Sequence, residues 1–204
     1  MKWLIHLALL VSLFFCIGLF TACPPFGDDD DDDNDDEDYY ADDDDDNDDN
    51  DNEGCTAWTD PTTGLVWENG EEFFGTWTDA IEYCMNLSCG GYDDWRTPDI
   101  DELRSLIWGC EGTVTGGGCE VTDPGCTDYD CLSLDCGGCE EFEGPAVDGY
   151  YLPDDLDGDY WVYWSFTEVT DHADYAWIVS YKTASITTGN IDSNYAVRCV
   201  RGGM

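Results

Sequence analysis

The sequence predicts an α+β domain with two helices, a small antiparallel sheet and a long disulfide-rich insertion. Three observations carry this class. Apolar residues repeat with a helical period in two adjacent stretches, and the β-prone stretches lie before and after them, so helices and sheet are segregated. Ten cysteines, an even number, crowd the residues after position 54, the usage of a disulfide framework in an oxidising compartment. The same region is rich in Trp, Tyr and Gly and is about one domain long, so it can bury a core.

The chain opens with a single charge, Lys2, before an apolar run from Leu4 to Phe20 that ends at Thr21-Ala22-Cys23. A charged start, an apolar stretch and small residues before a cysteine form the pattern of a lipoprotein signal peptide, residues 1–22. His6 interrupts the run, and Phe20 stands where Leu is usual. An uncleaved membrane anchor and an ordinary secretory peptide are the other readings. On the lipoprotein reading Cys23 becomes the acylated first residue, and several acyl chains make a stable anchor at about 0.8 kcal/mol per buried methylene. The expected location is extracytoplasmic, on a bacterial membrane, at the outer membrane or cell surface.

Residues 23–54 form a tether. From 28 to 53 the chain is Asp, Asn and Glu, broken only by Tyr39, Tyr40 and Ala41. Such a segment has no core to form, and its like charges stretch it. Its contour length is about 80–90 Å. A solvated spacer, loose calcium binding and an acidic sorting signal all fit it.

The folded region, 55–204, begins with a turn and short strand at Thr63-Gly64-Leu65-Val66-Trp67. A helix follows over Thr78 to Leu87, with Thr78 as N-cap. Ala80, Ile81, Cys84 and Leu87 line its apolar side, and Gly90-Gly91 stop it. A second helix opens at Asp99, with Glu102 completing a capping box. Its stripe is Ile100, Leu103, Leu106 and Ile107. Periodicity then disappears over the insertion, 109–159, where cysteines, glycines and acids dominate. Strands return at Tyr160 to Phe166, at Ala176 to Tyr181, at Ala184 to Thr188, and at Tyr195 to Val200. In the last, Ala196, Arg198 and Val200 share one face, and Tyr195, Val197 and Cys199 the other.

Charge excludes some partners. The folded region carries 29 Asp and Glu against five Lys and Arg, a net of −24. Nucleic acid and polyanionic glycans are poor partners for such a surface unless a cation bridges them. Arg96, Arg198 and Arg201 sit in apparent core motifs and read as structural cations for carboxylates and carbonyls. His172, the domain's single histidine, reads as a polar loop residue. No nucleophile elbow precedes it and no phosphate loop is present, so the domain is read as non-enzymatic.

Asp155, Asp157 and Asp159 alternate like the first ligands of a calcium loop, which makes calcium a candidate cofactor beside the plainer reading of a solvated acidic loop. Tyr160 stands where that loop needs glycine and Phe166 where it needs Glu. Cys136-Gly-Gly-Cys139 has the spacing of a zinc half-site. A disulfide framework is the competing reading.

An ordered series of motifs resembles a known family. It runs Thr63-Gly64-Leu65-Val66-Trp67, Trp77-Thr78-Asp79-Ala80, Tyr83-Cys84, then Gly91-Tyr92-Asp93-Asp94-Trp95-Arg96-Thr97-Pro98 and Glu102-Leu103. It continues with Tyr163-Trp164-Ser165, Ala176-Trp177 and Val197-Arg198-Cys199-Val200-Arg201. This series is similar to the Lcl C-terminal domain, named for a bacterial collagen-like adhesin, over about residues 56 to 202. The resemblance implies a C-type-lectin-like fold and an extracytoplasmic protein that binds a glycan or an envelope or host surface protein. It also implies a disulfide between Cys84 and Cys199, because a bridge from the first helix to the closing strand recurs in that fold. The chain departs from the family pattern at Thr97, where Leu is usual, and in its cysteine-rich insertion. Its charge disfavours sulfated glycans, and the calcium-dependent sugar motifs of true C-type lectins are absent. A structural or protein-interaction module of the envelope is the alternative function, with a formylglycine-generating type of enzyme behind it.

Overall fold

A computed structural model describes residues 54–70, 73–156 and 162–202. The signal segment, Cys23 and the acidic tether lie outside the described residues, as do Asp157 and Asp159. The chain runs β1 (Thr56–Thr59), β2 (Val66–Asn69), β3 (Phe73–Gly75), α1 (Trp77–Asn86) and α2 (Ile100–Ser105). After the insertion come β4 (Val162–Glu168), β5 (Tyr175–Ser180), β6 (Ser185–Asn190), β7 (Tyr195–Val197) and β8 (Val200–Arg201). The class is α+β, and five disulfides pin it.

The strands form two sheets, ordered β1-β2-β8 and β3-β7-β4-β5-β6. Neighbours pair antiparallel except β4 and β7, which meet in parallel at Tyr163 and Ala196. The Asp60 side chain builds the β1–β2 turn. It accepts from the Thr62 N–H at 2.8 Å and the Thr63 hydroxyl at 2.6 Å, an Asx turn of the kind that lets short strands reverse. Trp58 is thereby set opposite Trp67.

Local signals explain both helices. The α2 capping box is as read: the Asp99 carboxylate accepts from the Glu102 N–H at 2.8 Å, and Glu102 accepts from the Asp99 N–H at 2.9 Å. The start of α1 needs correction. Its N-cap is Thr76, whose hydroxyl oxygen accepts from the Asp79 N–H at 3.3 Å while Asp79 accepts from the Thr76 N–H at 3.2 Å. Thr78 lies inside the first turn, since only Thr76 has an acid three positions ahead to complete the box. The helix also ends earlier, with Leu87 extended as its C-cap. Gly90 serves the next turn instead. Its φ is +59°, and a Cβ there would lie 2.8 Å from the Ala57 Cβ, so a side chain is excluded on both counts.

The five-stranded sheet is covered on both faces. Ala176, Ile178 and Trp164 pack with Ala80, Cys84 and Leu87 of the α1 segment. Trp177, Val179 and Tyr163 pack with Ile100, Leu103, Leu106 and Ile107 around α2 and with insertion residues. Positions 176–179 are all buried, as in strands sandwiched between layers. The closing strand shows the same division. Ala196 and Val200 enter the α2 core, Val197 and Cys199 the α1 core.

That closing strand is not continuous. It breaks at Arg198-Cys199, so β7 joins one sheet and β8 the other. The break is held by Glu68, a buried residue of β2. The Arg198 guanidinium donates to the Glu68 carbonyl at 2.8 Å, and the Cys199 N–H donates to the Glu68 carboxylate at 3.0 Å. The Tyr83 hydroxyl donates to the other carboxylate oxygen. Burial pushes the Glu68 carboxyl above its ordinary value, while the hydrogen bonds and the nearby Arg198 charge oppose that shift.

Among the described residues the insertion has almost no regular structure, apart from two short 3-10 turns at Tyr129–Cys131 and Leu134–Gly137. Disulfides Cys110–Cys139, Cys119–Cys136 and Cys126–Cys131 hold it. Cys136 and Cys139 thus end in different bridges, which removes the zinc half-site reading. The insertion's carbonyls find a donor in Arg104, which is 2% exposed. Its Nε donates to Thr113 O at 3.0 Å, and its Nη2 to Val114 O at 2.8 Å and Cys119 O at 3.0 Å. Its Nη1 donates to Val121 O. A planar fork of five N–H donors replaces the ladder that the insertion lacks.

Candidate functional site

Trp67, Trp164 and Trp177 are fully buried, whereas Phe74, Phe166 and Tyr175 on strands and Tyr92, Trp108, Tyr129 and Phe142 outside them keep exposed ring surface. One group stands out: Tyr129, His172 and Tyr175, all exposed. Tyr129 comes from the insertion, His172 from the loop between β4 and β5, and Tyr175 from the first position of β5. The Tyr129 and His172 rings are 5.2 Å apart at 48°, and those of His172 and Tyr175 are 6.3 Å apart at 83°.

The group is held from below. Cys126–Cys131 closes a short loop around Tyr129. The Thr127 carbonyl accepts from the Thr170 N–H at 3.0 Å and from the Trp177 indole at 3.1 Å, which ties the loop to the sheet core. Asp171 sits at the centre. Its Oδ1 accepts from the Tyr129 N–H at 2.8 Å and lies 3.1 Å from His172 Nδ1. The hydrogen bond with His172, and then the one from Tyr129, hold the Asp171 carboxyl below its usual range. The result is a platform of mutually inclined rings beside a carboxylate that stays ionised. Ring faces take apolar C–H surface, and the carboxylate accepts hydroxyl donors.

Two recesses flank the helices. A cavity of about 560 Å³ lies between the β1–β2 turn and α2, with Thr63, Leu65, Asp99, Asp101 and Val114 in its wall. Burial, then the neighbouring carboxylates Glu102, Asp101 and Asp123, push the Asp99 carboxyl above its ordinary value. A groove of about 460 Å³ follows α1.

The residues singled out from sequence scatter over this frame. Cys84 and Cys199 are bonded, with an S–S distance of 2.04 Å. Asp155 is exposed on the insertion, where its carbonyl accepts from Asn69 at 3.1 Å, and its two partners in the calcium reading lie outside the described residues. Asp128 lies 3.1 Å from the Cys131 sulfur, but that sulfur is bonded to Cys126 and offers a metal no thiolate. Arg96 pairs with both Glu102 oxygens, at 2.6 and 2.5 Å. Arg201 pairs with Asp94 at 2.5 and 3.0 Å and covers the Tyr92 ring at 3.8 Å.

Sequence reasoning missed Arg104 and Glu68. For Arg104 a signal existed: it stands four residues after Ile100 and three before Ile107, on the apolar stripe of α2. Glu68 carried none, because an acid in a short strand is usually solvated. The aromatic group was equally invisible, since Tyr129 and His172 are 43 positions apart.

A family profile described as the Lcl C-terminal domain matches residues 56–201. That span holds both helices and every strand named above. No curated protein matches the chain. With the greater part of its length inside one family profile, the chain belongs to the Lcl C-terminal domain family.

Proposed function

We propose that this chain is a lipid-anchored, non-enzymatic surface protein whose domain, C-type-lectin-like in fold, binds neutral glycans at Tyr129, His172 and Tyr175. The observation that carries the reading is the exposed ring platform braced by a disulfide and centred on the Asp171 carboxylate. Sugar rings present C–H faces that stack on aromatic faces, and hydroxyls that donate to a carboxylate. The net charge of −24 selects against sulfated and sialylated sugars, which would meet repulsion at every approach.

A glycan array tests this, run in calcium and in chelator. Binding to neutral sugars is expected, with Tyr129→Ala and Tyr175→Ala each weakening it about tenfold, or ~1.4 kcal/mol. Loss of binding in chelator would point to calcium, and the same array with Asp155→Asn would test whether Asp155, Asp157 and Asp159 hold it. A blank array would favour a structural or protein-interaction module of the envelope instead.

The anchor has its own test. The chain recovered from the membrane fraction is expected to begin at Cys23 and to carry the mass of acyl groups. A chain still holding residues 1–22 would overturn the lipid anchor while leaving the glycan reading intact.

A further inference from the structure

We infer that the groove along α1 is a docking site for a Lys or Arg side chain of a basic partner protein. The inference is independent of the glycan platform, which lies elsewhere in the fold.

The groove has two kinds of wall. Phe73 and Tyr83 supply stacked rings, with centroids 4.7 Å apart and planes inclined by 11°. Asp79, Glu82, Tyr83 and Asn86 follow one another at helix positions i, i+3, i+4 and i+7, so α1 presents them along one side. All of these residues line the recess, together with Leu87 and Ser88. An aromatic face beside the Glu82 carboxylate and the one Asp79 oxygen left outside the Thr76 cap matches the needs of an organic cation. The ring quadrupole attracts the charge, the apolar surface covers the alkyl stem, and the carboxylates take the N–H donors.

Tyr83 is suited to this role. Its hydroxyl donates to the buried Glu68 carboxylate, and a phenol bonded to an anion has a more electron-rich ring. Burial, then the Glu68 charge, push its ionisation upward, so the phenol keeps its proton at any physiological pH.

The cation must come from outside. All five Lys and Arg of the domain are engaged elsewhere. Arg96 is with Glu102, Arg104 with the insertion carbonyls, Lys182 with Glu141, Arg198 with the Glu68 carbonyl, and Arg201 with Asp94. Among the described residues none is paired with Asp79 or Glu82. Twenty-nine carboxylates against five such cations leave a field that draws basic partners and steers them. A recess of about 460 Å³ has room for one long side chain.

The test is an NMR titration of the full chain with acetyl-Gly-Arg-Gly-amide, following the backbone amides of Glu82, Tyr83, Asn86 and Ser88. The citrulline peptide, a neutral isostere, is the control, and n-butylguanidinium, with the same single charge, supplies the guanidinium without a peptide. Saturable shifts are expected with the Arg peptide, on the order of tenfold weaker binding with citrulline, and weaker binding with n-butylguanidinium than with the peptide. Glu82→Gln, an exposed change that leaves the capping box untouched, should weaken the Arg peptide about two- to fivefold. Equal shifts from citrulline would overturn the cation, and so would an Arg peptide that moves only tether resonances. Binding of n-butylguanidinium as tight as that of the peptide would overturn the partner protein in favour of a free guanidinium.

Discussion

Replacing Arg104 with Met is expected to destabilise the domain by about 3–5 kcal/mol. Met fills the guanidinium's path but donates nothing. The carbonyls of Thr113, Val114, Cys119 and Val121 then lose their donor together, and each unmet carbonyl costs about 1–3 kcal/mol where water does not reach it. Asp101, 3.6 Å from the guanidinium, loses its cation as well. Burial already lowers the proton affinity of Arg104, with Asp101 opposing, yet the group remains charged, as guanidinium does in proteins. Arg104→Lys should fall between wild type and Met, because an ammonium keeps the charge but not the planar fork. Urea unfolding with intact disulfides reads the loss. A change under about 1 kcal/mol would show that water replaces the guanidinium, so that the insertion does not depend on it.

Removing the Cys84–Cys199 bridge by a double change to Ala should have an effect of similar size. The cysteines are 115 residues apart, and loop-closure entropy puts such a cross-link at about 4–5 kcal/mol. That is a large share of a typical net stability of about 5–15 kcal/mol. The bridge also joins α1 to the broken closing strand, inside the core that holds Trp164, Ile178 and Val197. Cys126–Cys131, only five apart, should contribute about 2 kcal/mol by the same reasoning. The denaturant slope should rise in the long-loop variant as its unfolded chain expands. Equal losses from the two bridges would contradict the entropic account.

How far this structure was legible in advance depended on the distance over which each feature is specified. The α2 start was readable because Asp99 and Glu102 are three residues apart and satisfy each other's N–H groups. The α1 start was misplaced by two positions because two threonines compete there, and only Thr76 has Asp79 at the required spacing. β1 and β3 escaped notice because four- and three-residue strands carry too little pattern; their partners on β2 and β7 define them. Six insertion cysteines allow 15 pairings, and spacing does not choose among them.

The sequence by itself determined the α+β class, the two helices, the irregular insertion, the acidic surface and the family. Each is written in composition or in residues a few positions apart, where backbone hydrogen bonding and side-chain period act locally. Only the tertiary structure decided the rest. It turned Arg198 and Cys199 onto Glu68 and so split one strand between two sheets. It sent Arg104 into the insertion, set Tyr83 over a buried carboxylate, and brought Tyr129 beside His172 and Tyr175. These contacts join positions separated by up to 131 residues, and no local pattern records them. They form because folding the whole chain buries enough apolar surface to offset the entropy of bringing such distant groups together.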